Sequence, residues 1–393
     1  MKTVEDSKIK EILERGVEEI FIKEEIEKKL KEGKRLRIKL GIDPTGPNIH
    51  IGRAVTLRKL RAFQDLGHKA VFIVGDFTAQ IGDASDKLSK RPMLSKSDIK
   101  KNIKDYKKQV GKIIDLRKAE FHFNSKWLSK LRFDDVAVLA ETFSVQQMLN
   151  RRNFSERIEK NEEISLREFL YPLMQGYDSV AVKADIEIGG FDQLFNLKAG
   201  RIIQKHFGQK EQGIMTTQML EGTDGRKMST SWGNIISINE EPSQMFGKIM
   251  TLKDELITKY FLLCTDYKES RIKEIEDAIK GGQNPKIFKM ELAKEIVRIY
   301  HGEKEAEKAE GFFVKTFEKK EIPEDVPVIS FGEEKVSDRL IKEKIISSRS
   351  ELLRLIKEGA ITNLEKDQKI KNEEEIKNKG TYRIGNHRFI KIN

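Results

Sequence analysis

Cysteine is almost missing from this chain: Cys264 is the only one among 393 residues. A lone thiol excludes an internal disulfide and a zinc site built on several cysteines. Proline is sparse as well, eight in all, and four of the eight fall as two close pairs, Pro44 with Pro47 and Pro323 with Pro327. Long apolar runs are absent, none approaching the ~20 residues that span a bilayer. The start, Met1-Lys-Thr-Val-Glu-Asp6, leads into an acid-rich amphipathic pattern without an apolar targeting core. The expectation is a cytoplasmic protein, and there is no internal repeat or low-complexity tract. What the chain has in quantity is charge. It carries 75 Lys and Arg against 64 Asp and Glu, a net +11. That balance favours a polyanionic partner, while a charged fraction of 35% also suits a heat- or salt-adapted surface. The length implies two or three domains.

Two segments far apart bear chemistry. Leu36 to Leu40 alternates as a strand, Pro44 and Pro47 stop it, and Ile51, Val55, Leu60 and Phe63 follow at helical spacing. A second apolar strand, Ala70 to Val74, completes a βαβ unit. The junction therefore lies at the carboxyl edge of a parallel sheet, where such folds bind nucleotides. Free backbone N–H groups and the positive end of a helix dipole favour an anion there. Gly52 lets a ligand approach the helix start, and Thr45 and His50 offer donors to phosphate oxygens. Far downstream, Lys227-Met-Ser-Thr-Ser231 between Gly225 and Gly233 reads as a loop headed by a cation. Each half alone is ordinary, since a histidine near a helix start commonly caps it and such a loop is commonly a surface turn.

Order and separation make the pair informative. A His-x-Gly helix start in the first βαβ unit, followed much later by Lys-Met-Ser, resembles the signature pair of the class I aminoacyl-tRNA synthetases. Between them stand Gly75-Asp-Phe-Thr78, Gly82-Asp83, Tyr171-Pro-Leu-Met-Gln175-Gly-Tyr177-Asp178 and Gly189-Gly-Phe-Asp192-Gln193. In this order they resemble bacterial tyrosyl-tRNA synthetases of the longer-chain type over nearly the whole chain. Tryptophanyl enzymes share the two signatures and are the nearest alternative. A synthetase-fold RNA-binding protein that has lost activation is the alternative from another class.

The resemblance implies a Rossmann-like, doubly wound parallel α/β sheet over residues 1–232. It also implies an α-helical domain over 233–325 and a small α+β RNA-binding module over 331–393. It implies an enzyme that joins tyrosine to tRNA(Tyr) through an adenylate made from ATP, with Mg²⁺ riding on the nucleotide rather than in a protein cage. Thr45 and His50, with Arg53 and Thr230 at the same signatures, would attend the departing pyrophosphate. Lys227, helped by Lys87 and Arg91, would close on it from the opposite side. Asp43, Gly52, Thr56, Gly190, Asp192, Gln193, Met228 and Ser229 would line the ATP site, the Asp192 carboxylate suiting a ribose diol. Asp178 would accept the phenol hydrogen of tyrosine. Tyr171, Gln175 and Asp83 would grip its ammonium, with Gly41, Lys39 and Gln193 also on the tyrosine side. Tyr171, Gln175 and Asp178 are spaced four and three apart and share one helical face, which in isolation would read as a solvated face.

Three departures stand out. Arg53 replaces the usual second histidine, Thr230 replaces the second lysine of the loop, and Ala84 and Asp86 replace a proline and a glycine after Asp83. Residues 1 to about 34 read as one or two helices. Roughly 120 to 165 also reads as helical, and its Phe143, Val145, Met148 and Leu149 are expected at a two-fold dimer interface, with internal packing as the alternative. Helices continue from about 243 to 320, and Glu321-Ile-Pro-Glu-Asp-Val-Pro327 reads as a linker. From Phe331 onward there are 15 Lys and Arg against 11 Asp and Glu, a modest excess.

Overall fold

A computed structural model describes residues 4–83, 94–318, 326–332, 334–385 and 388–393. Lys87 and Arg91, the substituted positions Ala84 and Asp86, and part of the expected linker lie outside these residues. The chain forms two compact units, Met1–Asn239 with Glu255–Asp277, and Glu240–Asp254 with Ala278–Asn393.

The first unit is built on a six-stranded sheet: β1 (Val17–Phe21), β2 (Arg37–Ile42), β3 (Lys69–Val74), β4 (Glu120–Phe123), β5 (Ile186–Gly190) and β6 (Gly213–Thr217). Their spatial order is β1-β6-β5-β2-β3-β4. All neighbours are parallel except β1, which runs antiparallel to β6. Ala70 to Val74 in β3 are fully buried, as a strand covered on both faces requires. The helix Ile51–Asp65 connects β2 to β3 and buries Ile51, Val55, Leu60 and Phe63, the spacing read from the sequence. Two further helices, Leu166–Val182 and Leu194–His206, pack closely, and Gly176 makes this possible. A Cβ there would fall 2.6 Å from Ile203 Cδ1 and 3.2 Å from the Ala199 carbonyl.

Two short strands depart from the sequence reading. Val17–Phe21, expected within the opening helices, is an edge strand with a bulge between Val17 and Glu19. Its glutamates favour a helix locally, and pairing with β6 overrides that preference. Glu120–Phe123 is likewise a strand, paired with β3, in a stretch read as helical. Met148 is buried, and with Leu139, Leu173 and Ile203 it forms an apolar cluster against which Phe143 packs. Internal packing therefore accounts for these two residues. Val145 is exposed, together with Phe133 and Leu166.

In the second unit, the helices Pro242–Met250 and Pro285–His301 each begin with proline, which needs no N–H partner in a first turn. With Glu303–Phe313 they bury Phe246, Ile249, Leu292, Ile296 and Val297. The Ile257–Cys264 helix, although inside the stretch read as continuously helical, belongs to the first unit. Toward the C-terminus, the helices Val336–Lys342 and Arg349–Lys357 share a core with a five-stranded sheet. Its strands are β7 (Val328–Ile329), β8 (Ile361–Asn363), β9 (Gln368–Lys369), β10 (Gly380–Ile384) and β11 (Arg388–Ile392), in the order β7-β11-β10-β8-β9. Among the described residues no helix is long and apolar enough to cross a membrane.

Candidate active site

The sheet order reverses between β2 and β5: β3 and β4 continue from one side, β6 and β1 from the other. Loops leaving the carboxyl ends of these two strands diverge, which is where ligands bind in open α/β sheets. A cavity of about 420 Å³ opens there. Gly41, Asp43, Thr45, His50, Gly52, Arg53, Thr56, Asp83, Tyr171, Gln175, Asp178, Gly190, Asp192, Gln193, Lys227, Met228, Ser229 and Thr230 all line it. The face of the Leu166–Val182 helix that bears Tyr171, Gln175 and Asp178 is thus turned into the cavity. Lys39 is not among the lining residues. It is fully buried, its ammonium 2.9 Å from Glu187 and donating to the Gln175 carbonyl at 2.9 Å and the Ser179 hydroxyl at 2.8 Å.

His50 is the N-cap of the Ile51–Asp65 helix, its Nδ1 accepting from the Arg53 N–H at 3.3 Å. Burial, reinforced by the cations Arg53 and Lys227, pushes the imidazole down to about 3, so the ring is neutral. With Nδ1 as acceptor, the ring hydrogen is on Nε2. Arg53, where the signature usually has a second histidine, faces back into the loop. It donates to the Asp43 carbonyl at 3.0 Å, the Tyr106 hydroxyl at 3.2 Å and the Thr45 hydroxyl at 2.8 Å. Tyr106 in turn donates to the Gly46 carbonyl, and Asn102 and Gln109 hold the Pro44 and Pro47 carbonyls. The proline-interrupted loop is therefore fixed from behind by side chains no motif contains. The Thr56 hydroxyl donates to the Arg53 carbonyl one turn back in its own helix.

The Lys227 loop reaches the first signature through backbone pairing. Ile51 N–H donates to the Ile236 carbonyl and Ile238 N–H to the Ile49 carbonyl. Gly52 N–H lies 3.4 Å from Met228 Sδ, and a Cβ on Gly46 would sit 3.1 Å from Thr230 Cγ2. Buried Asn234 braces the loop, donating to Asp224 and the Lys227 carbonyl and accepting from Ser229 N–H. Arg226 is committed to Asp224 and stacks on Trp232 at 4.9 Å, so it does not stand in for the missing second lysine. Lys227 itself donates to Asp192 Oδ2 at 2.9 Å across the cavity.

Deeper in, one polar chain joins the two sides. Tyr171 and Thr78 donate to Asp43 at 3.0 and 2.7 Å. Asn124 donates to Thr78 at 3.0 Å and to Asp178 at 3.2 Å, and Trp127 Nε1 donates to Asp178 at 2.7 Å. Burial pushes the Asp43 carboxyl up to about 6, against the pull of its Thr78 and Tyr171 hydrogen bonds. Burial also pushes Asp178 up to about 7, opposed first by the charge of Lys39 and then by Trp127 and Asn124. Asp83 accepts from Gln193 at 2.7 Å and lies 3.5 Å from Asn196 Nδ2. Asn124, Trp127, Tyr106 and Asn196 escape a reading of the sequence because each is an isolated polar residue outside any motif. The cavity thus has a polar end at Asp178, a carboxylate and amide group at Asp83, Gln175 and Gln193, and a mouth where the neutral His50 stands beside the cation of Lys227.

Comparison with known proteins agrees with this geometry. Residues 31–318 match the family model of tRNA synthetases class I (W and Y). A tyrosine–tRNA ligase of Thermotoga maritima is 46% identical over 97% of this chain and 96% of its own. One of Carboxydothermus hydrogenoformans is 46% identical over 97% of each chain, and one of Idiomarina loihiensis 44% over 100% and 99%. Among solved structures, the Aspergillus nidulans mitochondrial tyrosyl-tRNA synthetase superposes with a TM-score of 0.66 at 22% identity, covering 79% of this chain and 94% of that one. The Archaeoglobus fulgidus enzyme complexed with L-tyrosine gives 0.61 at 21%, covering 78% and 99%. These two likenesses bear on the fold.

Proposed function

This chain belongs to the class I tRNA synthetases for tryptophan and tyrosine, within them to the tyrosine–tRNA ligases, and on that premise we propose how its residues divide the work. The reaction joins the tyrosine carboxylate to the α-phosphate of ATP, releases pyrophosphate, and passes the tyrosyl group to the terminal ribose of tRNA as AMP leaves. Nucleophile and leaving group both come from the substrates, so the protein's contribution is orientation and charge stabilisation.

The observation that carries the reading is the pairing of Asp178, held by Trp127 and Asn124, with the Lys227–Asp192 contact across a single cavity. Both donors turn toward Asp178, which leaves the carboxylate lone pairs on the cavity side to accept a phenol hydrogen. Asp83, Gln175 and Tyr171 surround the place for the ammonium. Neutral His50 donates from Nε2, and Thr45, already accepting from Arg53, offers its own hydrogen, so both stabilise charge growing on the departing phosphates. Asp192 takes the ribose hydroxyls, and Lys227 moves from it to the phosphates when ATP arrives. Lys87 and Arg91 add further cations for the same phosphates. Mg²⁺ enters with ATP as part of the substrate.

The RNA-binding surface belongs to the second unit, its C-terminal module gripping tRNA(Tyr). The exposed Phe133, Val145 and Leu166 supply an apolar face for a homodimer, and the enzyme works in the cytoplasm. Amino-acid-dependent exchange of labelled pyrophosphate into ATP, run with all twenty amino acids, tests the reading. Tyrosine alone should support exchange. Exchange with tryptophan would reassign the substrate, and none in a folded sample would leave an RNA-binding protein.

A further inference from the structure

β2 and β5 are central strands, and each carries one fully buried charged residue at the same level of the sheet. The register sets Lys39 directly opposite Glu187. Both side chains are buried, 0% and 1% exposed, with Lys39 Nζ 2.9 Å from Glu187 Oε1. Breaking such a pair leaves an uncompensated buried charge, and apolar residues in its place would often serve stability equally well. Its contacts point to another use. Glu187 accepts from Gln175 Nε2 at 3.2 Å, and Lys39 donates to the backbone carbonyl of the same Gln175 at 2.9 Å. Ser179, one turn further along the helix, receives the third contact of Lys39 and donates to Glu187 at 3.0 Å, while Gln212 donates to Glu187 from β6's side.

A carboxylate paired with an ammonium offers only acceptors. It therefore takes the NH₂ end of the Gln175 amide, and the planar amide must turn its oxygen the other way, toward the cavity that Gln175 lines. We infer that the Lys39–Glu187 pair is a positioning device for Gln175, fixing both its backbone and the sense of its amide so that Oε1 faces the substrate ammonium. This rests on the proposed role of Gln175. Neither charged residue touches substrate; both act through Gln175. A neutral neighbour could donate or accept, and the amide would no longer be held in the sense that turns Oε1 to the cation.

The test is a cycle of variants measured by pyrophosphate exchange, with KM for tyrosine and for ATP read separately. Lys39→Met with Glu187→Gln removes both charges at nearly constant volume. It should raise KM for tyrosine about tenfold, the scale of one hydrogen bond to a charged group. KM for ATP should stay unchanged. In a Gln175→Ala background the same pair of substitutions should add nothing, because the group they position is gone. Equal rises in both KM values, no rise, or full additivity with Gln175→Ala would overturn the inference. If Gln175→Ala alone left KM for tyrosine unchanged, the role of Gln175 itself would fail and the inference with it. If it raised KM while the pair variant did not, only the positioning role would fail. Should the double variant lose its cooperative melt, Glu187→Asp keeps the charge pair but draws the carboxylate back from Gln175, and must give the same separation of KM values.

Discussion

The guanidinium of Arg53 donates to the hydroxyl of Thr45 at 2.8 Å. An arginine at the end of the first signature could have been a phosphate ligand, but its fork is divided among Thr45, the Asp43 carbonyl and Tyr106, all in or behind the loop after β2. Its fixed, planar donors suit this, and lysine cannot make three directed contacts in one plane. Arg53→Lys should therefore lower kcat for activation about tenfold, the scale of one lost charged hydrogen bond, with KM for tyrosine little changed. Tyr106→Phe should show a smaller loss of the same kind. Pyrophosphate exchange at saturating tyrosine measures both, and a change confined to KM for ATP would make Arg53 a direct nucleotide ligand.

Asp178 is the group through which pH should act. Its carboxyl is pushed up to about 7 by burial, so lowering the pH through 7 converts the phenol acceptor into an acid. KM for tyrosine should be flat above about 8 and rise below 7. Asp178→Asn should raise it at every pH and abolish that inflection. Stability has the opposite dependence. The folded pKa lies above the ordinary aspartate value of 3.8, so the folded chain binds the extra proton between about 4 and 7, and stability falls as pH rises across that window. Asp43, raised to about 6, acts in the same direction. Asp178→Asn should remove part of the slope, leaving the variant relatively more stable than the parent at pH 8 than at pH 4. Thermal melts at the two pH values check this, and parallel shifts at both would exclude a raised Asp178.

How much of this was legible in the sequence depends on range. The nucleotide edge, from Leu36 through the Ile51–Asp65 helix to β3, is local, and period and proline placement were sufficient to read it. The cavity-facing side of the Leu166–Val182 helix was also legible, since Tyr171, Gln175 and Asp178 lie at helical spacing. Trp127 was not: it meets Asp178 51 residues away only because β4 is laid beside β3 and its loop folds back. Lys39 was read toward the cavity, whereas its side chain turns to Glu187. One signal could have corrected that reading: Lys39 stands between Ile38 and Leu40, and Glu187 between Ile186 and Ile188, in central strands where an unpaired buried charge is not tolerated. β1 was hidden because its glutamates suit a helix until β6 offers a partner.

The contact between Lys227 and Asp192 makes a prediction of sign. Before nucleotide arrives, Lys227 neutralises the carboxylate proposed to take the ribose, at 2.9 Å with both groups partly exposed. ATP must displace it, so the ground state carries a competition that the transition state does not. Lys227→Met should lower kcat by about a hundredfold, the scale of one lost charge-stabilising group. It should leave KM for ATP unchanged or lower it. Separate kcat and KM values decide the matter, and a large rise in KM for ATP at constant kcat would mean that Lys227 binds the ground state instead.

Gly75 is the position where the smallest change should have the largest local effect. It follows β3, and its N–H donates to the Ile42 carbonyl, drawing its Cα against the end of β2. A Cβ there would fall 1.9 Å from Asp43 Oδ1 and 2.4 Å from Thr78 Oγ1, closer than any non-bonded contact. Neither group can yield alone, because Asp43 is tied to Tyr171 and Thr78 to Asn124, which reaches Asp178. Gly75→Ala should displace the whole polar chain while leaving the sheet core behind it intact. The expected result is loss of tyrosine-dependent exchange by two orders of magnitude or more, the penalty of misplaced reacting groups, in a protein that still melts cooperatively. Gly67→Ala is the control: a positive φ with no atom within 4 Å makes it a backbone strain without a site effect. If Gly75→Ala retained activity, the close approach of β3 to Asp43 would be wrong, and with it the link between the two ends of the cavity.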